Sequence, residues 1–280
     1  MNKILFLLTI LFLVGCKPEN NMPIKVSLNE NWQFKGIDTL DWNAATVPGN
    51  IHSDLLDNKL IKHPFIGNNE EELQWISDTN WHYKTHFKVD KQTLEKKYIE
   101  LNLEGLDTYA SVFLNDLLIL QTNNAFRLFQ IDIKPFLKTE NDLRIEFEKT
   151  AVFEEQEKTK LDYTLPEGNR IFTRKAQFQY GWDWGPKLNT SGIWKAVSIK
   201  AWDDYKIVGV DILQNELTDS IANLTLKIEE RNSLHKNLKY EVYINNSLTV
   251  SLPRSENPEI PLTIKSPKKW WPHNLGEPYL

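Results

Sequence analysis

From residue 81 to residue 89 the chain alternates without a break. Trp81, Tyr83, Thr85, Phe87 and Val89 fall on one side, and His82, Lys84, His86 and Lys88 on the other. A period of two marks a strand with one buried face. The alternation returns at Ile99, Leu101 and Leu103, and again at Leu143, Ile145 and Phe147, which are interleaved with Arg144, Glu146 and Glu148. Residues 109–114 run into Asn115-Asp116, a pair suited to a hairpin turn. Val197 and Ile199 mark a further strand within 194–202. Helical periodicity is scarce. Residues 53–61 read as one short helix with Ser53 near its N-cap. The charged stretch 150–163 suits a surface helix or a long loop equally. Many short strands between turns predict an all-β antiparallel sandwich.

Beyond Asp203-Asp204 the same pattern resumes at 207–213 and 222–230, and in the pair 240–244 and 248–252 around Asn245-Asn246. A boundary there divides the chain into a first sandwich over 24–202 and a second over 203–280. Sandwich domains of immunoglobulin type run to about 100 residues, so the second is expected to be incomplete.

Composition narrows the function classes. A net charge of -5 argues against a sequence-independent grip on nucleic acid phosphates. Ten Trp, nine Tyr and thirteen Phe suit a sugar-handling surface or simply an aromatic β core. The single cysteine excludes an internal disulfide and a cysteine-based metal site. Its position is informative. Met1-Asn2-Lys3 is a positive start, residues 4–14 are apolar apart from Thr9, and Gly15-Cys16 closes the run. That run is too short to span a bilayer and has the layout of an export signal. Leu13-Val14-Gly15-Cys16 resembles the bacterial lipobox, which implies a signal over 1–16, acylation of Cys16 and a tether over 17–23. The expected location is periplasmic or outer-membrane-anchored, with the lipid as the only membrane attachment.

The densest chemistry lies in 174–194. Asp183 stands between Trp182 and Trp184, with Gly181 and Gly185-Pro186 supplying turn chemistry on either side. A carboxylate walled by indoles loses hydration and must recover it from a basic group, backbone N–H donors or sugar hydroxyls. Residue chemistry alone leaves a sugar site level with a turn in which Asp183 caps its own backbone and both indoles pack inward. Other constellations are plain. His82 and His86 are four apart on a strand and do not converge on a metal. There is no Gly-x-Ser-x-Gly elbow and no phosphate-cradling glycine loop, so neither cofactor nor metal is expected. Glu154-Glu155 and Glu229-Glu230 read as solvated faces, and Trp42, Trp75 and Trp81 as core.

Arg174-Lys175-Ala176-Gln177, followed by Gly181-Trp182-Asp183-Trp184-Gly185-Pro186, resembles the signature of the β-mannosidases of glycoside hydrolase family 2. Residues 47–56, 64–70 and 81–83 resemble segments of the same family in the same order, and Trp270-Trp271-Pro272 with Gly276-Glu277-Pro278-Tyr279 a later one. The resemblance implies a galactose-binding-like jelly roll followed by an immunoglobulin-like domain. It further implies a β-mannoside substrate whose sugar is held by Trp182, Asp183 and Trp184, with Arg174 or Lys175 keeping Asp183 ionised. Retaining glycosidases also need two carboxyls about 5–5.5 Å apart. In the family both are glutamates on a (β/α)8 barrel, which needs around 250 residues of alternating strand and helix. No such pattern occurs here, so the barrel is expected elsewhere in the same gene, and the chain alone is expected to be inactive. A free-standing cell-surface carbohydrate-binding module is the alternative.

Overall fold

The computed structural model describes residues 22–39, 41–164, 166, 168–231, 238–255 and 258–277. The expected signal over 1–16, Cys16, and all of the tether but Met22 and Pro23 lie outside the described residues, as do 278–280.

Among the described residues ten strands make the first unit: β1 (Ile24–Ser27), β2 (Trp32–Gly36), β3 (Asn43–Ala45), β4 (Trp81–Lys88), β5 (Tyr98–Leu103), β6 (Tyr109–Leu114), β7 (Leu117–Asn123), β8 (Phe129–Asp132), β9 (Glu140–Phe147) and β10 (Val197–Trp202). They form two antiparallel sheets, of order β3-β2-β4-β9-β6-β7 and β1-β10-β5-β8. The alternation that predicts β4 holds, since Trp81, Tyr83, Thr85 and Phe87 are its buried side. Register places Trp81 opposite Phe147 and Tyr83 opposite Ile145. These residues join Ile99, Leu101, Leu103, Val197 and Ile199 of the other sheet in one core cluster. Burying Tyr83 requires a partner for its hydroxyl, and it donates to Asp54 Oδ2 at 2.7 Å.

Asp54 belongs to helix α1 (Ile51–Asp57), which starts ahead of the expected 53–61. Asn50, with extended φ −149° and ψ 163°, is the N-cap in place of Ser53, and its Oδ1 accepts the Ser53 N–H at 3.1 Å. Short helices α2 (Asn69–Glu72) and α3 (Lys91–Glu95) follow. The charged stretch resolves into α4 (Thr150–Lys158). Glu154 is not the solvated acid expected: it is buried and accepts from Thr173 Oγ1 at 2.9 Å and from the Tyr180 hydroxyl. Successive helical residues point about 100° apart, so adjacent acids at 154 and 155 face different surroundings. Trp81 is core and Trp42 half-buried, but Trp75 is exposed; it leans on Trp81 with ring centroids 6.0 Å apart and leaves its outer face open.

Five strands follow among the described residues: β11 (Lys206–Leu217), β12 (Ile221–Arg231), β13 (Lys239–Ile244), β14 (Ser247–Pro253) and β15 (Glu259–Lys265). β12 pairs with β11 and β15, while β13 and β14 form a hairpin. Asn245 and Asn246 at its tip have φ of 49° and 64°, the conformation a two-residue turn of this kind demands. Leu226, Tyr240 and Ile260 make a small core. Glu230 is not a solvated acid either, because Arg254 and the Tyr240 hydroxyl both close on its carboxylate. Lys206 Nζ, 2.5 Å from Glu100 Oε2, ties the start of β11 to β5.

Candidate functional site: a loop held at its base with an acidic tip

Between α4 and β10 the chain leaves the sandwich as one long loop whose base is held by a buried polar cluster. Lys175 is the centre of that cluster. Its ammonium donates to Asn189 Oδ1 and to the Thr190 carbonyl, both at 2.6 Å, and lies 3.3 Å from Asp107 Oδ1. Gln179 joins the same three segments: its Nε2 donates to Asp107 Oδ2 at 2.8 Å and its Oε1 accepts the Thr190 N–H at 3.1 Å. The two legs of the loop, 175–179 and 189–190, are thereby fastened to each other and to the segment after β5. Asp107 also exchanges backbone hydrogen bonds with Gly192, at 2.9 and 3.1 Å.

Above this base the loop narrows. Glu70 Oε1 accepts the Lys187 N–H at 2.6 Å and Gln74 Nε2 donates to the Lys187 carbonyl at 2.9 Å. Trp182 and Gly185 exchange backbone bonds at 3.1 Å each way, leaving Asp183 and Trp184 as the two tip residues of a tight turn. Gly181 enters that turn with φ 93°, a left-handed conformation that glycine adopts without strain.

The sequence-predicted residues separate here. Asp183 is exposed, and no side-chain or backbone donor reaches its carboxylate among the described residues. It does not cap its own turn. Nor do the indoles wall it in, because a two-residue tip cannot fold back over itself: Trp182 is 51% and Trp184 82% exposed. Arg170, not Arg174, approaches the turn, its guanidinium 5.9 Å from the Trp182 ring centroid. The expected support of Asp183 by Arg174 or Lys175 is corrected accordingly. Lys175 points inward to Asp107, and Arg174, exposed, is fixed through its carbonyl, which accepts from the Ala125 N–H at 2.9 Å.

The residues that sequence reasoning missed sit beneath the loop. His52 Nδ1 is 2.9 Å from Thr190 Oγ1, which donates onward to Asn50 Oδ1 at 3.2 Å. Burial first, and then the charge of Lys175, push the His52 pKa down to about 4. A cavity of about 560 Å3 opens beside these groups, with Phe65, Phe126, Phe178 and Trp194 among its walls. The sequence signal for this layer is the run 47–56, which resembles a family segment. Among the described residues no three His, Cys, Asp or Glu side chains are grouped to hold a metal ion.

Residues 32–195 match the family described as glycosyl hydrolase 2 galactose-binding domain-like. A β-mannosidase B of Aspergillus niger is 32% identical over 279 residues, covering 90% of this chain and 32% of its own. The β-mannosidase of Mus musculus is 30% identical, covering 97% of this chain and 33% of its own. A β-D-mannosidase from Dictyoglomus thermophilum, known by crystal structure, aligns with a TM-score of 0.80 at 31% identity, over 91% of this chain and 33% of that one. A β-D-glucuronidase from the same organism aligns at 0.57 with 18% identity, over 91% of this chain and 40% of that one, and shares the fold alone. The chain spans about a third of the length of the curated relatives it matches. With a matched segment that takes in all of the six-stranded sheet and the acidic-tipped turn, this chain belongs to the glycosyl hydrolase 2 family, and residues 32–195 are its galactose-binding-like domain.

Proposed function

We propose that this chain is the N-terminal part of an exported β-mannosidase, a retaining glycosidase that removes terminal non-reducing β-D-mannose from oligosaccharides or glycans. Its task is to position substrate. One observation carries this reading: Asp183 stands at the tip of a loop with a braced base, and its carboxylate has no partner among the described residues. Such a group can accept from two neighbouring sugar hydroxyls at once, each bond to a charged acceptor contributing roughly 1.5–3 kcal/mol net. Trp182 and Trp184 supply aromatic surface beside it, and become its walls when a second surface closes over the turn.

The two glutamates that break the glycosidic bond are assigned to a (β/α)8 barrel encoded in the same gene, so the 280-residue chain hydrolyses nothing by itself. The strands beyond residue 203 are read as part of an immunoglobulin-like sandwich between the two. Leu13-Val14-Gly15-Cys16 supports export as a lipoprotein, which metabolic labelling with a fatty acid tests: label is expected on the natural protein and not on Cys16→Ser.

The functional test is to assay the complete reading frame, and this chain alone, on p-nitrophenyl β-D-mannoside. Activity in the first and none in the second is expected. An inactive complete protein, or hydrolysis by the isolated chain, contradicts the reading.

A further inference from the structure

The cavity beside the loop differs in chemistry from the tip of the turn. At about 560 Å3 it falls within the roughly 300–1,000 Å3 typical of small-molecule sites. Phe65, Phe126 and Phe178 reach it from three separate segments, and all three are exposed. Its polar side holds His52, which is only 8% exposed, together with Asn50, Ser53, His63, Gln179 and Thr190.

The hydrogen bonds around His52 fix its tautomer. Thr190 Oγ1 gives its one proton to Asn50 Oδ1, so it accepts from His52 Nδ1. Nε2 is then the bare nitrogen of a neutral imidazole, and it has no partner among the described residues. It is not sealed in, either. Among the described residues, the unpartnered side-chain atoms shut away from solvent are Thr93 Oγ1, Ser198 Oγ and Trp202 Nε1, and His52 Nε2 is not one of them.

This combination selects a class of ligand. Among the described residues no lysine or arginine lines the cavity, and Asp107 at its edge is already matched by Lys175, so neither an anion nor a cation finds a fixed counter-charge there. A wholly apolar ligand would leave the His52 acceptor dry and unpaired, which is unfavourable. A neutral ring with an apolar face and outward hydroxyls meets both demands. We propose that this cavity binds a pyranoside, with one hydroxyl donating to His52 Nε2 and the C–H face of the ring against the phenylalanines. The site is separate from Asp183 and stands whether or not Asp183 holds substrate.

The test titrates methyl β-D-mannopyranoside into the purified 280-residue chain and follows binding by saturation-transfer NMR. Phe126→Ala, Phe178→Ala and Asp183→Ala are compared, each first checked for an unchanged unfolding midpoint; all three positions are exposed. Binding is expected in the wild-type chain and in Asp183→Ala, and is expected to weaken by about five- to tenfold in each phenylalanine variant, the loss of one aromatic contact. Absence of binding, binding indifferent to both phenylalanine variants, or binding abolished by Asp183→Ala overturns the proposal.

Discussion

Lys175 Nζ lies 3.3 Å from Asp107 Oδ1, and the two side chains are 0% and 7% exposed. An ion pair this deep in the fold is costly to break from one side, because the remaining charge has no water to turn to. Lys175→Met is therefore expected to lower the unfolding free energy by about 3–5 kcal/mol, measured by urea titration. Arg174→Ala, one residue earlier and exposed, is expected to change it by less than about 0.5 kcal/mol. Equal effects would mean that Lys175 does not hold the loop base.

His52 and Asp54, two residues apart around α1, titrate in opposite senses over the same range. Burial raises the Asp54 pKa from 3.8 to about 6, against hydrogen bonds from the Thr46 N–H and the Tyr83 hydroxyl and with a smaller push from Asp57. The folded protein holds that proton more tightly than the unfolded chain. Its stabilising contribution is full below pH 3.8 and is lost as pH rises through about 6. His52 runs the other way: with a folded pKa of about 4 against 6.5, its contribution is full above pH 6.5 and is lost as pH falls toward 4. Each shift corresponds to about 3 kcal/mol, so the two slopes nearly cancel. Relative to wild type, His52→Gln is expected to lose stability by about that amount as pH rises across this window, and Asp54→Asn to gain it. Urea midpoints at several pH values measure both, and parallel profiles for the two variants would contradict these assignments.

Gly192 has φ 149°, and a Cβ there would meet Asn50 Cα at 2.8 Å and the Gly49 carbonyl oxygen at 3.0 Å. Both neighbours are backbone and cannot swing aside. Gly192→Ala is expected to cost about 1–3 kcal/mol in stability, and to broaden the amide NMR signals of Ile51 and Asp107, whose segments bond to Ser191 and Gly192. A variant with wild-type stability would show that this strap yields easily.

The features that local pattern controls were legible in the sequence. The alternation of β4 and β9 fixed which side chains enter the core, and Asn115-Asp116 and Asn245-Asn246 marked tight turns, all four with positive φ. Gly181 and Gly185-Pro186 by themselves place Asp183 on a turn. What pattern could not supply were the partners brought from far along the chain. Lys175 reads as a partner for Asp183 until Asp107 is placed against it, and Glu154 as a solvated acid until Thr173 and Tyr180 reach it. Asn50 and Ser53 are both good helix caps. The extended backbone of Asn50, and the Thr190 hydroxyl bonded to its side chain, set the choice. The indole walls around Asp183 failed for the same reason, since nothing in a local string says whether a second surface will close over a turn.

The most direct measurement is kcat/KM for p-nitrophenyl β-D-mannoside in the complete protein with Asp183→Ala. Two hydrogen bonds to the lost carboxylate, at roughly 1.5–3 kcal/mol each, lead us to expect a fall of at least about a hundredfold. The exposed position should leave the unfolding midpoint unchanged. Wild-type kcat/KM in that variant would contradict the assignment of Asp183 as the group that holds the sugar.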